Sequence, residues 1–171
     1  TKRKKYFNHR VTLFLEKYEF IPRDNIVINE EVQTIIAATY VMLTFGMRHF
    51  LLTAFDKIII YPEEYYSTFS EQYHKGEYNP RMKAVVFSWK HFYEGFETSN
   101  DNLNLGIHEF THVVHHHSLY SQDASSLTFK KHFQRVLMII ENPQARQKLI
   151  ESEYFRVYAF TNSFEFVSVA I

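Results

Sequence analysis

The spacing of apolar residues along the chain predicts a protein built mainly of helices. In residues 6–18 apolar side chains recur every three or four positions, which is typical of a helix with one buried face. A second such pattern covers residues 29–43 and opens with an asparagine and two acidic residues, which favour a helix start. Further helices are predicted at residues 102–117, at residues 128–140, from Pro143, and around Glu165.

Two short apolar runs between these helices predict strands. Lys57–Tyr61 reads KIIIY, and residues 84–89 read AVVFSW. The segment between the two runs predicts loops, with a helical turn in residues 63–72 and turn-forming residues at 75–80. These elements indicate an α+β fold class, in the form of a mostly helical single domain with a small β-sheet.

Composition and charge narrow the class of protein further. The chain has 171 residues, of which 46% are apolar and 18% aromatic, and only four are glycine. This length suits one domain over residues 1–171, and the low glycine content favours helices over a turn-rich β-sandwich. A formal net charge of zero argues against nucleic acid as the main partner. The absence of cysteine excludes disulfides and thiolate metal sites, and it fits a cytoplasmic location.

Hydropathy predicts no membrane span within this chain. The most apolar stretch, residues 35–52, is interrupted by Arg48 and His49, so we interpret it as a core helix. The basic N-terminal segment, residues 1–5, has two interpretations. It is either a solvated terminus or the cytoplasmic flank of a membrane anchor that precedes residue 1, and the second hypothesis would put the protein at the cytoplasmic face of the membrane.

Candidate chemistry is concentrated in the sequence His108-Glu109-Phe110-Thr111-His112. Residues four apart share one face of a helix, so both imidazoles can reach one zinc ion. Glu109, next to the first histidine, would then be the general base for the metal-bound water, as in HExxH peptidases. The apolar spacing around the motif predicts a zincin-like active-site helix, with three N-cap candidates before it: Asn100, Asp101 and Asn102.

A catalytic zinc needs a third protein ligand, which the HExxH sequence does not supply. The metzincin spacing would require a glycine at 115 and a histidine at 118, but the chain has His115 and Ser118. A downstream carboxylate is the remaining common solution, and the candidates are Asp123, Glu141, Glu151, Glu153 and Glu165. Glu165 is the best placed, because it is the one charge in an apolar stretch. An equally good interpretation makes it part of a capping box that begins at Asn162.

Three consecutive histidines follow the motif at positions 115–117. They point in different directions on a helix, which argues against a further metal site. We therefore interpret them as residues that stabilise the negative C-terminal end of the helix dipole.

Four separated blocks of the chain resemble one family of zinc-dependent peptidases. These blocks are KIIIYPEEY, VVFSWKHF, NLNLGIHEFTH and YAFTNSFEFVSV, in that order, and they resemble the MtfA family, named for the Mlc titration factor A. The resemblance extends over residues 30–171. It implies that Glu165 is the third zinc ligand, and that Tyr158 supports activity by hydrogen-bonding the developing oxyanion.

The chain departs from the family pattern at three places. His115 stands where the family often has an aspartate that could orient a ligand imidazole. Ser163 stands where a proline is common. The chain ends at Ile171, where the family usually continues through Ser-Glu-Tyr-Phe-Phe, so we expect the domain to be incomplete at its C-terminus.

The resemblance and the motif together predict a zinc metallopeptidase that acts on a peptide substrate, with aminopeptidase activity as one form. One Zn²⁺ would be held by His108, His112 and Glu165, with Glu109 and Tyr158 as catalytic residues. By analogy with other zinc peptidases, the strand at 85–89 would bind an extended peptide as an added strand, although it could equally be a sheet member buried on both faces.

Two other functions compete with this prediction. The first is a regulatory binding protein that sequesters a transcriptional repressor, with the zinc site secondary, as the name of the family suggests. The second is a structural zinc, which is disfavoured because structural sites usually have four protein ligands and only three are evident here.

Overall fold

Helices predominate in the computed structural model, which describes residues 1–67, 71–98 and 104–170. The helices are α1 (Lys2–Lys17), α2 (Glu30–Leu43), α3 (Trp89–Glu97), α4 (Leu105–Tyr120), α5 (Ala124–Ile140), α6 (Pro143–Glu151) and α7 (Ser163–Ala170), with a 3-10 helix at Val157–Phe160. The strands are β1 (Glu19–Pro22), β2 (Lys57–Tyr61), β3 (Tyr65–Ser67), β4 (Gln72–His74), β5 (Gly76–Asn79) and β6 (Ala84–Ser88). The predicted fold class, a mostly helical α+β domain with a small sheet, is confirmed.

Helix starts follow the capping side chains. The Asn29 side chain accepts a hydrogen bond from the Val32 N–H at 2.9 Å, so α2 begins and ends where the sequence predicts. By contrast, α5 begins at Ala124 and not near residue 128, because Asp123 accepts from the N–H groups of the two serines that follow. The predicted start of this helix, residue 128, is therefore four residues too late.

The most apolar stretch of the chain, predicted as a core helix, is a buried helix only over its first part. Helix α2 ends at Leu43, and its residues Ile36 and Tyr40 are fully buried inside the protein. Of the helices in the described residues, none combines the length and the apolar character that crossing a bilayer requires.

The sheet of the described residues has the strand order β1-β2-β6-β5. Strands β1, β2 and β6 are parallel, and β5 runs antiparallel to β6. A separate antiparallel hairpin joins β3 to β4. Strand β6 therefore has a partner on each side, and all of its residues are buried. Of the two interpretations of residues 85–89, the strand that accepts a peptide is wrong, and the buried sheet member is confirmed for residues 85–88. Residue 89 already begins α3.

Local turn propensity gave two incorrect predictions before β6. Residues 63–72, predicted as loop with a helical turn, contain β3 and the start of β4. Residues 75–80, predicted as a turn, contain β5, in which Glu77 pairs with Val86 and Asn79 with Ala84. Pairing with a buried neighbouring strand outweighs the weak turn preferences of glycine and asparagine.

Aromatic packing fixes the orientation of α4. Phe110 is fully buried, with its ring centroid 5.0 Å from that of Tyr40 and 5.4 Å from that of Phe87, both edge-on. Residues 108 and 112 lie on the opposite side of a helix from residue 110. Burial of Phe110 against the sheet and α2 therefore directs His108 and His112 away from this core.

Candidate metal centre

Helix α4 carries the HExxH motif and starts at a clear cap. The side chain of Asn104 accepts a hydrogen bond from the Ile107 N–H at 2.9 Å. The N-cap candidates Asn100, Asp101 and Asn102 lie outside the described residues. The helix continues to Tyr120, so it carries the whole motif as predicted and runs three residues beyond the predicted end.

The structure brings both motif histidines and Glu165 together. The Nε2 atoms of His108 and His112 are 3.2 Å apart. Oε2 of Glu165 lies 3.2 Å from Nε2 of His108 and 3.6 Å from Nε2 of His112. In the described part of the chain, this is the group of histidine and acidic side chains whose spacing could hold a metal ion.

These distances fit a tetrahedral metal ion. Ligand atoms about 2.0–2.1 Å from a tetrahedral zinc ion lie about 3.3 Å from one another. Oε2 of Glu165 is also buried without a hydrogen-bond partner. A buried anionic oxygen is costly unless a cation or a donor compensates it, so the residues present fit a divalent cation.

Helix α7 positions Glu165 beside the two imidazoles, and its first turn is capped by Asn162, as the sequence suggested. The Asn162 side chain accepts hydrogen bonds from the N–H groups of Phe164 at 2.9 Å and Glu165 at 3.0 Å. Capping fixes the first turn of α7, while the Glu165 carboxylate lies beside the imidazoles. The two interpretations that the sequence left open are therefore compatible.

The two carboxyl groups of the site have pKa values shifted in opposite directions. Burial raises the pKa of Glu109 above its usual value, although the neighbouring His108 and His112 partly offset this effect. Burial also acts to raise the pKa of Glu165, but the adjacent imidazoles of His108 and His112 lower it well below its usual range. The Glu165 carboxyl group therefore stays ionised at neutral pH, while Glu109 more readily holds a proton.

Glu109 lies against strand β5. Its side chain is buried, and the backbone N–H of Tyr78 donates a hydrogen bond to its carboxylate. A Cβ atom at Gly76 would lie 3.0 Å from both Cγ and Oε1 of Glu109. Sequence reasoning missed both β5 residues, because they stand far before the motif in a segment with the composition of a turn.

Tyr158 lies at the exposed rim of the cluster. Its ring centroid is 6.3 Å from that of His108, and its hydroxyl hydrogen-bonds the Glu165 carboxylate. Burial of the phenol and the nearby charge of Glu165 raise the pKa of Tyr158 to about 12. The hydroxyl therefore keeps its proton at neutral pH and can donate it in a hydrogen bond.

His115 is a core residue, so the predicted role of all three consecutive histidines at the helix end is wrong for this one. It is 1% exposed, and its ring stacks on that of Phe164 at 4.3 Å and lies edge-on to Phe133 at 4.3 Å. Neither ring nitrogen has a hydrogen-bond partner. His115 therefore packs α4 against α5 and α7, and it makes no hydrogen bond to the imidazole of His108 or His112.

Burial of neutral His115 should make the metal-free protein less stable in acid. Burial, together with the charges of His112 and His116, lowers the pKa of His115 from 6.5 to about 4. Between these pH values the unfolded chain binds the proton and the folded chain does not. The contribution of His115 to the free energy of unfolding should therefore be complete above pH 6.5 and should fall by up to about 3 kcal/mol as the pH drops towards 4.

Urea unfolding of metal-free protein at several pH values between 7 and 4 measures this effect. His115→Phe keeps an aromatic ring in the core and removes the titrating group. Between pH 7 and 4 its free energy of unfolding should therefore fall by up to about 3 kcal/mol less than that of the wild type. His132→Phe, at an exposed position on α5, is the matched control and should follow the wild type. If the free energy of unfolding of His115→Phe falls with pH as much as that of the wild type, the prediction is wrong.

Comparison with known proteins places the chain in a family. The model of a family described as glucose-regulated metallo-peptidase M90 matches residues 1–171. Comparison with curated proteins gives no match. A metallopeptidase family agrees with a cluster of two imidazoles and one carboxylate that is spaced for a metal ion. Because the match covers the whole chain, the protein belongs to the M90 family of glucose-regulated metallopeptidases, the MtfA family that the four sequence blocks resemble.

Proposed function

We propose that this metallopeptidase is zinc-dependent, with His108, His112 and Glu165 as the ligands. The observation that carries the proposal is the convergence of two Nε2 atoms and one carboxylate oxygen within 3.2–3.6 Å of one another. Two imidazoles and one carboxylate form a ligand set that catalytic zinc uses in peptidases. Three protein ligands leave one coordination position for water or substrate, whereas a structural zinc usually has four.

The residues around the cluster support hydrolysis with Glu109 as general base. When bound, zinc supplies an electrophile for the peptide carbonyl and makes a coordinated water more acidic. Glu109 takes a proton from the attacking water and returns it to the leaving amine, and burial raises its pKa above the usual value of a carboxyl group. Tyr158 donates a hydrogen bond to the oxygen on which negative charge develops.

An extended peptide is the substrate that the edge of the sheet suits. Strand β5 is the outer strand of the sheet in the described residues, and it lies next to the site. The carbonyl of Lys75, just before β5, faces β6, because it accepts a hydrogen bond from the Ser88 N–H at 2.7 Å. Since main-chain groups alternate in direction along a strand, those of Gly76 and Tyr78 point away from β6. The Tyr78 N–H donates to Glu109, so Gly76 and the Tyr78 carbonyl remain for a peptide. Strand β5 therefore takes the place of residues 85–89 as the strand on which a peptide could pair.

Metal removal and restoration test the proposal. We expect purified protein to contain about one zinc per chain by elemental analysis, and His108→Ala to contain much less. A chelator should abolish cleavage of a peptide, and added zinc should restore it. Undiminished cleavage by metal-free protein would overturn the proposal. If the enzyme is an aminopeptidase, it should cleave a peptide with a free N-terminus and leave its N-acetylated form intact.

The regulatory alternative, in which the protein sequesters a transcriptional repressor, rests on the family resemblance alone. It makes no use of the carboxylate of Glu109, so a variant at this residue separates binding from hydrolysis.

A further inference from the structure

We propose that Gly76 and Tyr78 of β5 are positioning residues that hold the Glu109 carboxylate beside the metal ligands. The inference deepens the proposed function and rests on it, because it concerns the residue assigned there as general base. It follows from the contact between β5 and α4. Neither residue belongs to the HExxH motif, and each acts through Glu109.

Gly76 permits a close approach between the strand and the base. A Cβ atom at this position would lie 2.7 Å from Cδ1 of Leu105 and 3.0 Å from Cγ and Oε1 of Glu109. The end of the leucine side chain can rotate away. Contact with Glu109 is different, because the added carbon would meet both the stem and the carboxylate of the same side chain. Any larger residue at 76 must therefore displace Glu109 or push β5 away from α4.

Tyr78 connects β5 to α4 at two points. Its backbone N–H donates to the Glu109 carboxylate. Its hydroxyl lies 2.9 Å from Nδ1 of His116, which is seven residues after Glu109 and on the same face of α4. The hydroxyl also donates to the Ala54 carbonyl at 3.2 Å. Both hydroxyl contacts are hydrogen bonds if Nδ1 of His116 carries a proton and donates it to the tyrosine oxygen, while the hydroxyl donates to the Ala54 carbonyl.

These contacts restrict the rotation of the Glu109 side chain on its helix. A buried carboxylate needs a donor, and the Tyr78 N–H supplies one on the side of the sheet. Displacement of a reacting group by about 1 Å can cost about 100-fold in rate. The strand therefore orients the base as well as forming the edge to which a peptide could bind.

Amide hydrogen exchange on metal-free protein tests the link directly. In Glu109→Ala the Tyr78 amide loses its acceptor, so it should exchange at least tenfold faster than in the wild type. The Glu77 amide is the internal control, because Glu77 pairs with Val86 in the ladder and should keep its rate. An unchanged Tyr78 rate, or equal acceleration of both amides, would overturn the proposal.

Glycine substitutions in zinc-loaded protein provide the second test. We expect Gly76→Ala to lower kcat by about 10- to 100-fold, with KM and zinc affinity changed by less than about threefold. Gly46→Ala is the matched control, because a Cβ there meets nothing within 4 Å, and its kcat should equal that of the wild type. Wild-type kcat in Gly76→Ala would overturn the proposal.

A double variant separates the two contacts at position 76. Leu105→Ala removes the 2.7 Å contact and leaves the contacts with Glu109, so Gly76→Ala with Leu105→Ala should keep the low kcat. Recovery of kcat in the double variant would show that Leu105 is the group displaced, and would refute positioning of the base.

The failure of this inference is distinguishable from the failure of the proposed function. If zinc-loaded wild type cleaves no peptide, the function fails, while amide exchange still tests whether β5 holds Glu109. If the wild type cleaves peptides and Glu109→Gln does not, but Tyr78 exchange and Gly76→Ala show no effect, the positioning role alone is refuted.

Discussion

Glu109→Gln is expected to remove peptide hydrolysis while zinc stays bound. An amide has nearly the shape of the carboxylate but cannot accept the proton of the attacking water, so kcat should fall by about 10²- to 10⁴-fold. The proposed ligands His108, His112 and Glu165 are unchanged, so the zinc content should remain about one per chain. Burial disfavours the charge of Glu109, and the amide oxygen can still accept from the Tyr78 N–H, so the folded protein should keep its stability.

Measurement of kcat together with zinc per chain separates the loss of the base from the loss of the metal. Glu94→Gln, an exposed substitution of the same kind on α3, is the control and should behave as the wild type. Retained turnover in Glu109→Gln would refute the assigned base. Repressor capture that is equal in wild type and Glu109→Gln would show that the regulatory alternative operates separately from hydrolysis.

Glu165→Ala should weaken zinc binding and thereby remove activity at limiting zinc. Glu165 supplies the one carboxylate oxygen of the cluster, and its low pKa means that it offers zinc a full negative charge at neutral pH. Loss of a residue that only orients a ligand typically costs 10- to 100-fold in metal affinity. We therefore expect loss of a ligand itself to cost at least about 100-fold.

Competition between the protein and a chromophoric chelator measures this affinity. Glu141→Gln is the control, since Glu141 was another candidate carboxylate and lies exposed after α5. Asp123 is a poor substitute ligand, because its oxygens accept hydrogen bonds from three neighbouring serines, Ser121, Ser125 and Ser126. Wild-type zinc affinity in Glu165→Ala would contradict the assignment.

Local signals predicted those features of the protein that depend on short stretches of chain. The Asn29 cap and two acids after it predicted the start of α2, and β-branched residues predicted β2, because each depends on neighbours in sequence. The same reasoning was wrong for β5, whose glycine and asparagine are also good turn residues. Pairing with β6 decided the conformation of β5, and the conformational preferences of neighbouring residues give no information about that pairing.

His115 shows the same limit for side chains. From sequence alone it is one of three adjacent histidines at the end of a helix, and the dipole at that end suits a cation. In the fold its ring is enclosed by Phe129, Phe133 and Phe164. Only the packing of α5 and α7 on α4 excludes water from this position, and that exclusion is what lowers the pKa of the imidazole.

The sequence by itself determined that His108 and His112 share one face of a helix with Glu109 beside them, since 3.6 residues per turn is a property of the backbone. It did not determine from spacing which distant carboxylate meets them, because Asp123, Glu141, Glu151, Glu153 and Glu165 are all free to approach in an unfolded chain. The packing of α7 on α4 brought Glu165 to the imidazoles, and the pairing of β5 with β6 brought Gly76 and Tyr78 to Glu109. Contacts between side chains that are distant in sequence depend on which apolar surfaces are buried against each other, and this is a property of the whole fold.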